Sequence, residues 1–88
     1  MEIKFSGIER KCLRRVPQHI ARKFDYWLDM IRHVGLQEAR KYKGFHDEPL
    51  MGKRFGQRSV RLSRAYRIIY RQSGSNEIEI LEVNKHDY

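Results

Sequence analysis

A chain of 88 residues has room for one domain, expected to span 1–88, and 40% hydrophobic residues, with one Trp, five Tyr and four Phe among them, suffice for a core. That excludes a two-domain enzyme and a disordered tail. Nineteen Lys and Arg stand against eleven Asp and Glu, a formal net charge of +8, which suits a polyanionic partner whose condensed counterions are released on binding.

Ile3-Lys4-Phe5 alternates as a short first strand would. Ser6 followed three residues later by Glu9 forms a capping-box pattern, so a helix is expected to start here, with Ile8, Cys12, Leu13 and Val16 on one face. Pro17 stops it and suits the first turn of the next. The second helix is the clearest element: Ile20, Phe24, Trp27, Leu28, Ile31 and Val34 recur at helical spacing, Arg22, Lys23, Asp29 and Arg32 take the opposite face, and Gly35 terminates it. Residues 36–56 are read as irregular, with a further helical turn or two from Leu36 to Tyr42. A loop punctuated by Gly44, Pro49, Gly52 and Gly56 follows, and a loop of that length in a small domain is expected to be functional. Three alternating stretches come last, around Val60 and Leu62, Tyr66 to Tyr70, and Ile78 to Val83, with Ser73-Gly74-Ser75-Asn76 as a hairpin loop. The expected fold class is α+β: two N-terminal helices packed on a small twisted antiparallel sheet whose second face stays open.

Alternation puts Ser59 and Arg61 on one side of their strand, and Arg67 and Arg71 on one side of the next. The open face should therefore carry a row of guanidinium groups flanked by Lys53, Arg54 and Arg58, with a phosphodiester backbone as natural ligand. Arg outnumbers Lys and makes the better phosphate fork. Of four His, His19, His33 and His46 read as surface or core residues. His86 ends a strand beside the arginine row and is a candidate proton donor or acceptor. No His, Cys and carboxylate set has metal-ligand spacing, so no metal or other cofactor is expected. The lone Cys12 sits on the apolar side of the first helix, reads as a structural thiol, and suits a reducing cytoplasm. No stretch is long enough to span a bilayer, and the N-terminus lacks a signal-peptide core, so the expectation is a cytoplasmic protein without a membrane partner.

Glu48-Pro49-Leu50-Met51-Gly52, then Gly56-Gln57-Arg58-Ser59-Val60-Arg61-Leu62, then Ala65-Tyr66-Arg67-Ile68-Ile69-Tyr70, taken in this order and spacing, resemble the RelE/ParE toxin superfamily, nearer its RelE, YoeB and HigB branches. The resemblance spans nearly the whole chain. It implies a RelE-like fold and a toxin of a type II toxin–antitoxin module, held by a cognate antitoxin protein. In those branches the toxin is an mRNA interferase, an endoribonuclease that acts on mRNA in the ribosome. The implied reaction is metal-free attack of the ribose 2′-OH on the adjacent phosphorus. Glu48 would be the base, His86 the acid, Arg67 the stabiliser of phosphorane charge, and Tyr88 a stacking or orienting group, while Lys53, Arg54, Arg58 and Arg61 would hold RNA. Those relatives tend to place the terminal His and Tyr side by side, whereas Asp87 separates them here. The alternatives are a ParE-like inhibitor of DNA gyrase on the same fold and a non-catalytic RNA-binding module.

Overall fold

The structure of the protein, a computed structural model, describes residues 1–85, and of Ile8 and Glu9 the backbone alone. In chain order it runs β1 (Glu2–Phe5), α1 (Ile8–Leu13), α2 (Gln18–Arg40), β2 (Glu48–Pro49), β3 (Gln57–Arg61), β4 (Tyr66–Gly74) and β5 (Glu77–Lys85), with short 3-10 turns at Lys43–Phe45 and Gly52–Arg54. The strands form one sheet in the order β1-β5-β4-β3-β2. This is the expected α+β class, with two differences in the sheet. It is mixed rather than purely antiparallel, because β1 lies parallel to β5, Ile3 opposite Ile78 and Phe5 opposite Ile80. A fifth strand, β2, adds to its far edge, Glu48 opposite Ser59 and Pro49 opposite Arg58. Pro49 has no N–H to give a ladder, and an edge strand is where a sheet tolerates that.

The helical stripe buries Ile20, Phe24, Trp27, Leu28 and Ile31, and the strands answer with Val60, Leu62, Ile68, Tyr70, Ile78, Ile80 and Val83 from one sheet face. Fully burying a side chain of this kind stabilises by about 1.5–3 kcal/mol each before conformational entropy is set against it. Val34, expected on the stripe, is 46% exposed, because the helix breaks at the next residue. Gly35 takes φ 84 and ψ 165, and after it the chain turns helical again to Arg40, burying Leu36 and Ala39. Ser6, expected as a cap, donates its hydroxyl to the Leu81 carbonyl (2.9 Å), tying the chain between β1 and α1 to β5.

Candidate active site

The far edge of the sheet is reached through the 3-10 turn Lys43–Phe45 and then His46, before the chain extends into β2. Phe45 is buried, its ring 6.0 Å from that of Tyr26. Asp47 points inward, its side chain only 2% exposed. His46 and Glu48 both face the cleft side instead, and the His46 Nε2 lies 3.4 Å from the Glu48 carboxylate. His46 adopts φ 46 and ψ 52, a left-handed conformation that costs a non-glycine residue energy and that His tolerates better than most.

On the same side, β3 contributes Ser59 and Arg61 and β4 contributes Arg67, with Arg61 directly opposite Arg67 in the ladder. The turn between them is shaped by the Ser63 hydroxyl, which accepts hydrogen bonds from the backbone N–H groups of Ala65 and Tyr66, both at 3.2 Å. These pieces enclose a cleft of about 210 Å³ lined by His46, Glu48, Ser59, Arg61, Ser63, Arg64, Tyr66 and Arg67. Three guanidinium groups face one carboxylate there. Like charges set directly across a ladder destabilise it, and an anion between Arg61 and Arg67 would relieve that. The Nε of Arg67 is buried and has no hydrogen-bond partner among the described residues, a state that carries an energetic cost until an acceptor arrives. A phosphate oxygen is such an acceptor, and Arg is built to grip it.

The sequence expectations fall into three groups. Glu48, Arg61 and Arg67 meet in the cleft. Lys53 is exposed on the turn outside it, and Arg54 is drawn onto the open face, where it donates to Gln57 (2.8 Å) and to Glu82 (2.5 Å). Burial pushes the Glu82 carboxyl up, but Asn84, Arg54 and Arg67 outweigh it and hold the group below its ordinary value. Arg58, expected to flank the arginine row, turns to the other side of the sheet. Its Nε donates to Asp47 at 2.6 Å, and its strand position, opposite Tyr70, belongs to the helix-covered side. Strand alternation decides this, since 58 and 61 have opposite parity. Arg71 does share the open face but is held by Glu79 at 2.7 Å. His86 and Tyr88 lie outside the described residues.

Sequence reasoning missed His46, Ser63, Arg64 and Tyr66. The first reaches Glu48's side through a left-handed turn that no local pattern announces. The other three depend on where the β3–β4 turn folds back. Among the described residues no three His, Cys, Asp or Glu side chains gather as a metal site would require, and no helix is long and apolar enough to cross a membrane.

The fold is the small α+β fold of the RelE-like class. The structure matches that of YafQ from Escherichia coli strain BL21(DE3) with a TM-score of 0.77, at 17% identity over 97% of this chain and 92% of that one. It matches the YoeB/ParE toxin from Agrobacterium tumefaciens with a TM-score of 0.70, at 23% identity over 99% and 100%. The toxin–antitoxin complex RelBE2 from Mycobacterium tuberculosis contains a chain that matches with a TM-score of 0.69, at 22% identity over 97% and 96%. The RelE-like fold thus covers the chain almost end to end. No protein-family model and no curated protein sequence matches it.

Proposed function

We propose that this chain is the toxin of a toxin–antitoxin module and that it cleaves mRNA without a metal. The observation that carries this reading is the convergence of a carboxylate–imidazole pair, Glu48 with His46, on a cleft walled by Arg61, Arg64 and Arg67. The 2′-oxygen attacks phosphorus, Glu48 takes its proton, and the bond from phosphorus to the 5′-oxygen breaks. The departing oxygen takes a proton from an imidazole, leaving a 2′,3′-cyclic phosphate and a 5′-OH. Two imidazoles compete for that role: His46, which lies in the cleft, and His86, to which the family resemblance points. Arg67, with its buried unmet N–H, stabilises the charge developing on the phosphorane. Arg61 and Arg64 hold the flanking backbone, and Lys53 the strand beyond the cleft. Arg58 has no part in this reading. The ribosome would supply substrate geometry that a free RNA lacks.

The partner reading is a cognate antitoxin whose acidic segment meets the basic surface of a chain carrying +8. The presence of an antitoxin in the Mycobacterium tuberculosis complex supports it. Co-expression with the protein encoded by the adjacent reading frame, followed by a pull-down, is expected to recover a stable pair, and recovery of the toxin alone would count against it.

Primer extension on an mRNA translated in a reconstituted system tests the chemistry. Wild type is expected to give discrete cuts within ribosome-positioned codons. Arg67→Ala should lower the single-turnover rate by about 100- to 1000-fold. Glu48→Gln should lose it similarly, and His46→Ala beside His86→Ala identifies the acid by which loss is the greater. Intact mRNA with a protein that still arrests growth and provokes gyrase-linked DNA breaks would transfer the reading to the gyrase inhibitor.

A further inference from the structure

The segment that presents His46 and Glu48 is anchored from the opposite side of the sheet. Asp47, between them in sequence, is nearly sealed from solvent, its side chain 2% exposed. Both of its oxygens are engaged: Oδ1 accepts from the Arg58 Nε at 2.6 Å, and Oδ2 accepts from the Tyr70 hydroxyl at 2.6 Å. The Tyr70 hydroxyl in turn accepts from the Arg40 Nε at 3.3 Å. One carboxylate thus ties the segment to β3, to β4 and, through Tyr70, to the last turn of α2. Its register partners there are fixed by the sheet, since Arg58 sits opposite Tyr70 in the ladder. Beyond Asp47 the ladder pairs β2 at two positions, Glu48 with Ser59 and Pro49 with Arg58, and the Leu50 N–H just after them donates to the Gln57 carbonyl at 2.9 Å. Just before Asp47, His46 is bent into a left-handed conformation that a free chain would leave. Something must hold that bend, and the Asp47 anchor is placed to do so.

We infer that Asp47 is a positioning residue for the proposed reaction: through Arg58 and Tyr70 it fixes the His46–Glu48 pair in the cleft without touching substrate. The inference rests on the ribonuclease reading, but the mechanical part of it is separable. A buried charge retained at a sheet edge is expensive when a partner is lost, so it is held where geometry rather than bulk stability is at stake. Displacement of a reacting group by about 1 Å costs on the order of 100-fold in rate, which is the scale at which such an anchor would be felt.

The test compares single-turnover cleavage by wild type, Asp47→Asn, Tyr70→Phe, Glu48→Gln and the Asp47→Asn/Glu48→Gln pair. Ile78→Val trims the buried core on β5 away from the network and serves as control for lost stability. NMR spectra of the His46 ring and the 46–48 amides accompany the kinetics. Asp47→Asn and Tyr70→Phe are expected to lower kcat by about 10- to 100-fold with KM within about twofold, while Ile78→Val leaves kcat in place. The His46 and Glu48 resonances should move in the first two variants and not in the third. Once Glu48 is gone, adding Asp47→Asn should cost little more, because both changes remove one unit. Losses that multiply, or an unchanged kcat with unmoved resonances, overturn the inference. If Asp47→Asn does not fold, Tyr70→Phe, which keeps the carboxylate and removes one donor, decides. If wild type cleaves nothing, the ribonuclease reading falls and the resonances decide alone: unmoved His46 and Glu48 signals in Asp47→Asn and Tyr70→Phe would end the anchor as well.

Discussion

Tyr70 is where the apolar interior meets the polar anchor. Its ring packs 5.3 Å from that of Trp27, while its hydroxyl serves Asp47 and Arg40. Burial, foremost, and then the adjacent Asp47 charge and hydrogen bond push the phenol well above its ordinary value of 10.0, against a smaller pull from Arg40. A folded-state value raised above the unfolded one means that the fold prefers the protonated form. That contribution is fully present below about pH 10 and is lost as pH rises through the folded value. Alkaline unfolding should therefore be shallower in Tyr70→Phe than in wild type. In a spectrophotometric titration one of the five tyrosines should ionise only as the chain unfolds. At neutral pH the same substitution should cost about 1–3 kcal/mol in urea denaturation, because it strips a donor from a buried carboxylate. Nothing in the sequence around Tyr70 distinguishes it from Tyr66, two turns of the pleat away. Asp47 was likewise unreadable as a buried group, because its two partners, Arg58 and Tyr70, come from two other strands.

Among the elements, α2 was the most legible and its break the most instructive. Its apolar spacing locates the buried stripe, and Gly35 is readable as an end. The further turn or two expected after it is there, running to Arg40. Gly35 sits at φ 84 and ψ 165, a region essentially closed to residues with a Cβ, although a Cβ placed there would meet nothing within 4 Å. The cost of Gly35→Ala is then conformational rather than steric crowding by neighbours, about 1–3 kcal/mol, and denaturation should show the midpoint falling with the slope preserved. A slope that changes would mean that the two helical segments have uncoupled. The sheet was half legible. Alternation assigned the faces of β3, β4 and β5, and so Arg61 and Arg67 to a shared surface. The parallel pairing of β1 with β5 and the two-residue β2 carry no local signature, since two extended residues gain their identity from the neighbour they pair with.

At the scale of the molecule, the charge of +8 suits a polyanionic partner but does not say which cations would meet it. The structure sorts them. Arg54, Arg58 and Arg71 are matched by Glu82, Asp47 and Glu79, whereas no ion pair engages Arg61, Arg64 or Arg67 among the described residues. For a single-stranded RNA, log affinity should fall linearly with log salt, and each phosphate contact contributes about 0.7 to the slope. Arg61→Ala should reduce the slope by about that amount, while Arg71→Ala should leave it close to wild type. Equal reductions would mean that the Glu79 pair opens for RNA. Acid stability follows the same sorting. Glu82 is held below the ordinary carboxylate value of 4.5, so the fold prefers its ionised form. That stability is present above about pH 4.5 and is lost as pH falls through the folded value. Glu82→Gln should flatten the acid limb of a stability–pH profile, and a profile that is unaltered would place the acid sensitivity elsewhere.

The sequence by itself determined what depends on period and composition: the α+β class, the helix stripe that builds the core, the strand faces, and the concentration of arginine from which the phosphate expectation came. It also carried, in the order of its short motifs, the resemblance to a toxin fold. The tertiary structure alone decided which arginines pair with carboxylates and which line the cleft, that His46 joins Glu48, and that Asp47 turns inward between them. The physical reason is range. Side-chain direction along a strand follows from local geometry that every residue shares, whereas the partner that a charge finds depends on which distant strand or helix arrives beside it.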